Sequence, residues 1–310
     1  MSYEHAADAT LPGQDSDWSF AAPLPAIGLS IELFPPKTAG AAHDLTRELA
    51  ALNRLRPSFY TVTCGAGGTG NDATFEVVQT VHEETGLDVA AHMTCVGRAR
   101  EDVDAQAERY WQAGVRRIIA LRGDKPKDAP RYEPMPGGYA FAADLVAGLK
   151  RLHDFDVSVA CYPEAHPESG TPEADLDHLL RKVDAGADRV VGQYCFDLER
   201  VLRFRDALAA RGCAVPFVPG VMPIHNFRQV SNFSRRCGAS IPEWLERLFA
   251  GTDENAVLHQ MVAASVAAEQ CRRLVAEGFS HLHIYALNRA ELTVAIAHLL
   301  GRGEAVARAA

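Results

Sequence analysis

Residues 89–122, VAAHMTCVGRAREDVDAQAERYWQAGVRRIIALR, decide the fold. The two ends, 89–96 and 117–122, are short and continuously apolar, the pattern of strands covered on both sheet faces. The middle, 99–113, carries a helical pattern, and Gly114 follows where a helix C-terminus favours glycine. Strand, helix and strand in so short a span form one parallel unit, with the helix crossing over.

The same unit repeats in both directions. Strand candidates are 28–34, 59–64, 156–162, 189–195, 214–221 and 281–287. Between and after them lie helical patterns at 41–54, 72–85, 139–153, 173–186, 198–211, 226–237 and 289–300. Gly86 and Gly186 repeat the position of Gly114. An extra helical pair, 242–249 and 254–277, precedes the last strand. Eight such units without a linker predict a single (β/α)8 barrel of the TIM type. A doubly wound open sheet is the alternative, because strand order is not written in a sequence. Residues 1–25 lack periodicity and read as a mobile leader, 26–303 as the barrel, and 304–310 as a tail.

The bulk properties narrow the function. The 310 residues are 47% hydrophobic and 23% charged, as in ordinary globular proteins, and carry a formal net charge of −9. That balance argues against nucleic acid or an anionic membrane as the main partner. No apolar stretch reaches spanning length, and no basic-then-apolar signal opens the chain. Seven cysteines without a CxxC pair read as reduced, buried thiols of a cytoplasmic protein. HExxH and GxSxG are absent, so hydrolysis lacks a visible nucleophile.

In such a barrel, function gathers where strands end and βα loops begin. Glu32, Thr63, His92, Asp124, Glu164 with His166, Gln193, and Asn288 with Arg289 all fall there. Glu32 sits inside an apolar strand, so it is either paired with a neighbouring strand or has the raised pKa of a general acid. Gly65–Gly70 matches GxGxxG, but the acidic residue that a dinucleotide fingerprint needs at the end of the next strand is missing. The glycines read instead as a tight βα loop. Arg122-Gly123-Asp124 offers a phosphate partner beside a permissive backbone, or else a plain Arg–Asp surface pair. Tyr162-Pro163-Glu164-Ala165-His166-Pro167 is a stiffened loop presenting an aromatic, an acid and an imidazole. Asp175, His178, Arg181 and Lys182 follow at helical spacing, as a ligand face or as a solvated charged one. His281 and His283 share a strand face without further ligands nearby, and read as core or edge histidines rather than a metal site.

Taken in order, ELFPPKT, TCGAGGTG, AHMTC, ALRGD, YPEAHPE, RKVDAGADRVVGQYCFD, PGVMPIHNFRQ and HIYALNRAE resemble the methylenetetrahydrofolate reductase family, in its short bacterial form. The resemblance runs from about Ile27 to Leu300. It implies reduction of 5,10-methylenetetrahydrofolate to 5-methyltetrahydrofolate with NAD(P)H, by ping-pong kinetics, for methionine synthesis. It implies FAD held by Thr63, His92, Leu121, Arg122, Gly123, Asp124, Tyr162, His166, Asp175, His178, Arg181 and Lys182. Glu32 and Asp124 are the catalytic residues it implies, and Glu32, Asp124, Gln193, Gln229, Phe233, Tyr285 and Arg289 the substrate contacts. A homo-oligomer is also implied. The sequence departs from the family pattern at Lys125, His178 and Cys237. Electrons supplied by ferredoxin or a partner flavoprotein, or a barrel that binds without turnover, are the alternatives.

Overall fold

The computed structural model describes residues 27–65, 71–125 and 129–301. The leader at 1–25, the tail at 304–310 and most of the glycine loop, 66–70, lie outside the described residues. Strands β1 (Gly28–Leu33), β2 (Phe59–Val62), β3 (Val89–Thr94), β4 (Arg117–Leu121), β5 (Asp156–Cys161), β6 (Arg189–Tyr194), β7 (Phe217–Val221) and β8 (His281–Tyr285) form a closed barrel in sequence order. Helices α1 (Ala39–Asn53), α2 (Asn71–Thr85), α3 (Arg100–Gln112), α4 (Ala142–Leu152), α5 (Pro172–Asp184), α6 (Leu198–Ala210), α7 (Phe227–Cys237) and α10 (Glu291–Leu299) alternate with them. The expected extra pair is α8 (Glu243–Phe249) and α9 (Ala256–Ala276), separated by a 3-10 turn at Thr252–Glu254.

Closure rests on the parallel pairing of β1 with β8, which sets Ser30 opposite His283 and Glu32 opposite Tyr285. That pairing excludes the open sheet. β7 begins at Phe217 rather than at 214, a correction in keeping with Pro216, which has no N–H to give a ladder. Between β6 and β7 the register shifts from Val191 to Tyr194, so the strand is kinked at Gly192 and Gln193.

Alternate residues along each strand have different surroundings. Leu29, Ile31 and Leu33 of β1 join Met93, Ile118, Val157 and Val159 in the apolar layer packed with the helices. The intervening positions are largely polar: Ser30, Thr61, His92, Ser158 and His283 are all buried. At the N-terminal mouth, Asp156 is gripped by Arg117 at 2.5 Å and Arg189 at 2.9 Å, with both guanidiniums over the Phe59 ring. A smaller core lies beyond the barrel wall, where α8 and α9 bury Leu245, Phe249 and Ala263 against Met222, Ile224 and Val230. Its Phe227 and Phe249 rings stack at 4.8 Å. No described helix is long and apolar enough to cross a membrane.

Candidate active site

Glu32 lies near the C-terminal end of β1, its side chain 19% exposed. Its Oε2 is 3.5 Å from His92 Nε2 on β3 and 3.6 Å from His283 Nε2 on β8. Glu32 is therefore met by imidazoles, from the neighbouring strand β8 and from β3 beyond β2, and not by a fixed cation. Burial pushes His92 down to about 4, overriding the opposing pull of Glu32. His92 is thus a neutral ring near pH 7, and its Nε2 is buried without a hydrogen-bond partner. His283 is anchored from behind, its Nδ1 2.8 Å from Ser30 Oγ. Tyr285, on the same strand, donates to Gly192 O at 2.9 Å.

A cavity of about 530 Å³ opens at the same end of the barrel, between the ends of β4 and β5 and helices α4 and α5. Leu121, Arg122, Gly123 and Asp124 form one wall, and Tyr162 with His166 another. Asp175, His178, Arg181 and Lys182 line it from α5. Of the residues expected at a cofactor, Thr63 and His92 are outside it, beside β2 and the Glu32 cluster. Lys182 donates to Ala160 O at 2.5 Å, and burial lowers its pKa. Asp175 accepts Ser169 Oγ at 2.6 Å and His166 N at 3.2 Å, fixing the loop that follows Tyr162. His166 stands edge-on to Tyr162 at 4.7 Å, its pKa lowered first by burial and then by Arg122.

Two local readings are corrected. Arg122 pairs with Glu168 at 2.8 Å and lies over the Tyr132 ring, instead of pairing with Asp124, which is exposed at the cavity lip. Glu164, expected to point into the site, turns away to accept Ser240 N at 2.9 Å and meet Arg200 at 3.4 Å. It ties the β5 loop to the segment after α7.

The remaining expected contacts spread along the same rim. Gln193 folds back to accept Tyr194 N at 3.0 Å. Phe233 is 43% exposed and stacks on Tyr194 at 6.2 Å, with Gln229 exposed one turn earlier on α7. Arg289 is exposed next to Asn288. Burial, followed by the Asp124 charge, raises the Tyr162 phenol; burial, followed by Glu32 and Tyr162, raises Tyr285.

Sequence reasoning missed three parts. His283 was read as a core or edge histidine, yet it also faces Glu32. Phe141, Ala142, Ala143 and Asp144, at the start of α4, close the cavity, as do Glu168 and Ser169. The available signal was Asp144, whose carboxylate accepts Phe141 N at 2.8 Å and marks a helix start. Among the described residues, no cluster suited to a metal ion occurs.

A closed parallel barrel with a carboxylate, imidazoles and a partly basic cavity on one rim has the build of a barrel enzyme. Residues 25–301 match the family model described as methylenetetrahydrofolate reductase. The chain belongs to that family, whose members are oxidoreductases. It is 42% identical over 282 residues to the 5,10-methylenetetrahydrofolate reductase of Pectobacterium carotovorum, covering 91% of this chain and 93% of that one. It is 39% identical over 301 residues to the enzyme of the same name from Escherichia coli, covering 97% and 98%. Among solved structures, an uncharacterized protein from Clostridium thermocellum that binds two copies of 5-methyl-5,6,7,8-tetrahydrofolic acid aligns with a TM-score of 0.58. It covers 89% of this chain and 95% of its own at 10% identity, a likeness of fold.

Proposed function

We propose that this chain reduces 5,10-methylenetetrahydrofolate to 5-methyltetrahydrofolate with FAD and NAD(P)H, the two substrates using one site in turn. The observation that carries this reading is the neighbourhood of Glu32 and the cavity bearing Asp124, Lys182 and Arg181 on one rim of a methylenetetrahydrofolate reductase barrel.

The cavity residues fit FAD. A volume of about 530 Å³ is in the range of cofactor sites. Arg122, Arg181 and Lys182 supply cations for a pyrophosphate, against the chain's negative balance. Gly123, on the cavity wall, has φ +89 and is packed so closely that an added Cβ would lie 2.4 Å from Val96 Cγ1, so the wall needs glycine there. When bound, FAD supplies two-electron hydride chemistry, accepted from NAD(P)H and given to the one-carbon unit of the folate.

Glu32 donates the proton that opens the five-membered ring at folate nitrogen 10, leaving an iminium at nitrogen 5. The neutral His92 beside it adds no positive charge that would hold Glu32 as a fixed ion pair. Asp124 at the cavity lip contributes negative charge that disfavours an anionic reduced flavin, and helps bind the folate. Phe233 offers an exposed ring for nicotinamide or pterin, with Gln229 beside it. Gln193, Tyr285 and Arg289 complete the folate contacts in this reading. On the same reading Thr63 and His92, outside the cavity, would hold FAD together with the residues that line it.

Anaerobic incubation of FAD-loaded protein with NADH and methylenetetrahydrofolate, followed by mass spectrometry, tests the reading. 5-Methyltetrahydrofolate is the expected product. Failure to take up FAD, or unchanged folate with a reduced cofactor, contradicts it.

A further inference from the structure

The reduction consumes one proton per turnover, so the proton donor must be recharged before the next folate reacts. The barrel interior offers a route from the other side. Glu32 Oε2 is 3.6 Å from His283 Nε2. His283 Nδ1 is 2.8 Å from Ser30 Oγ, and Ser30 Oγ is 3.1 Å from His281 Nε2. Ser30 is fully buried and His283 is 1% exposed, whereas His281, at the first residue of β8, is partly exposed near the N-terminal mouth. The row thus runs from the site toward the opposite end of the barrel.

We propose that Ser30, His283 and His281 form a relay that reprotonates Glu32 from the N-terminal mouth; this rests on Glu32 being the proton donor. In one transfer, His283 Nε2 gives its proton to the Glu32 carboxylate, and Ser30 Oγ gives its own to His283 Nδ1. His281 Nε2 then gives a proton to Ser30, and solvent at the mouth restores His281. Each group ends with the proton count it began with, and the net change is one proton on Glu32; His283 is left with its proton on Nδ1, and the cycle closes when it returns to the Nε2–H tautomer. The 3.6 Å step is the long one, as is common before a ligand tightens a site.

His92 is equally close to Glu32 but cannot serve. Unlike His283, it makes no onward hydrogen bond toward the mouth among the described residues. The direction of the relay also fixes a tautomer: His283 must carry its proton on Nε2, with Nδ1 accepting from Ser30. Tyr285, edge-on to His283 at 5.0 Å, donates elsewhere, to Gly192 O.

Nitrogen-15 NMR of the full chain with labelled imidazoles tests the tautomer without cofactor or substrate. His283→Gln identifies the resonance. An Nε2–H, bare-Nδ1 signal near neutral pH is expected; an Nδ1–H signal overturns the relay. In FAD-loaded, pre-reduced Ser30→Ala, the first turnover with methylenetetrahydrofolate is expected at the wild-type rate, since the relay acts only after the first proton is spent. Steady-state kcat is then expected to fall about a hundredfold, the low end of a lost proton-transfer step, and likewise in His281→Gln. Wild-type kcat in both variants overturns the relay. The assignment of Glu32 fails separately, if Glu32→Gln still forms methyl product in its first turnover.

Discussion

His92 and Glu32 meet at 3.5 Å across the barrel lumen, yet the imidazole is held neutral by its burial, with a pKa of about 4. An ion pair between them forms only in acid. The geometry keeps the Glu32 carboxylate on the rim without a positive charge on His92 that would fix it as an ion pair.

The same burial makes stability depend on pH. Unfolded, His92 regains the ordinary pKa of about 6.5. Between there and about 4 the unfolded chain binds a proton that the folded chain refuses, so stability falls as the solution is acidified through this window. The loss for His92 is on the order of 3 kcal/mol, complete below the folded pKa. His225, lowered to about 4 by burial and then by Arg289, acts in the same direction. Denaturant midpoints of wild type and His92→Gln at neutral pH and near pH 4.5 check this. The variant is expected to lose less stability on acidification; equal losses contradict it.

Lys182 tests the cavity. Its ammonium is sunk beside Ala160 O, and Met keeps the stem while removing the charge. One charge-assisted hydrogen bond is worth about 1.5–3 kcal/mol, so Lys182→Met is expected to weaken FAD binding roughly ten- to a hundredfold. Titration of apoprotein by flavin fluorescence measures it. Unchanged affinity would remove Lys182 from the cofactor site.

Gly123→Ala is expected to damage both fold and site. The residue sits at φ +89, and the added methyl would lie 2.4 Å from Val96 Cγ1 and 3.1 Å from Thr94 Cβ. A cost of about 1–3 kcal/mol is expected from the backbone alone. Thermal unfolding should show a Tm several degrees lower. An unchanged Tm would mean that the loop after β4 relaxes freely.

The barrel was legible because its signal is local. The strand from Val89 and the helix before Gly114 announce themselves by apolar run and period, and Gly114 takes the left-handed φ of +85 that its position implied. Much of the cavity was legible too, since Asp175, His178, Arg181 and Lys182 share one helix face. Closure was not. Ser30 and His283 are 253 residues apart and meet only because β1 pairs with β8. The same holds for Glu164, whose turn toward Ser240 depends on how α7 packs, a contact that no spacing encodes.

Asn288 closes the rim at that seam. It accepts Phe34 N at 2.9 Å and donates to Phe34 O at 2.8 Å, tying the loop after β1 to the loop after β8. Asn288→Ala removes both bonds at a residue with φ +56, a conformation asparagine tolerates better than alanine. A loss of about 1–3 kcal/mol is expected, for two exposed hydrogen bonds and the backbone preference. A raised KM for methylenetetrahydrofolate should accompany it, because Glu32 and Arg289 flank the seam. Wild-type stability and KM would show that the clamp is dispensable.

Whether Glu32 delivers the proton to the folate is decided by the separated half-reactions of Glu32→Gln. Stopped-flow absorbance under anaerobic conditions follows flavin bleaching by NADH and then its recovery on adding methylenetetrahydrofolate. Bleaching within a few-fold of wild type is expected, with recovery slowed roughly a hundredfold or more, the scale of a lost general acid. Recovery at the wild-type rate would contradict the account.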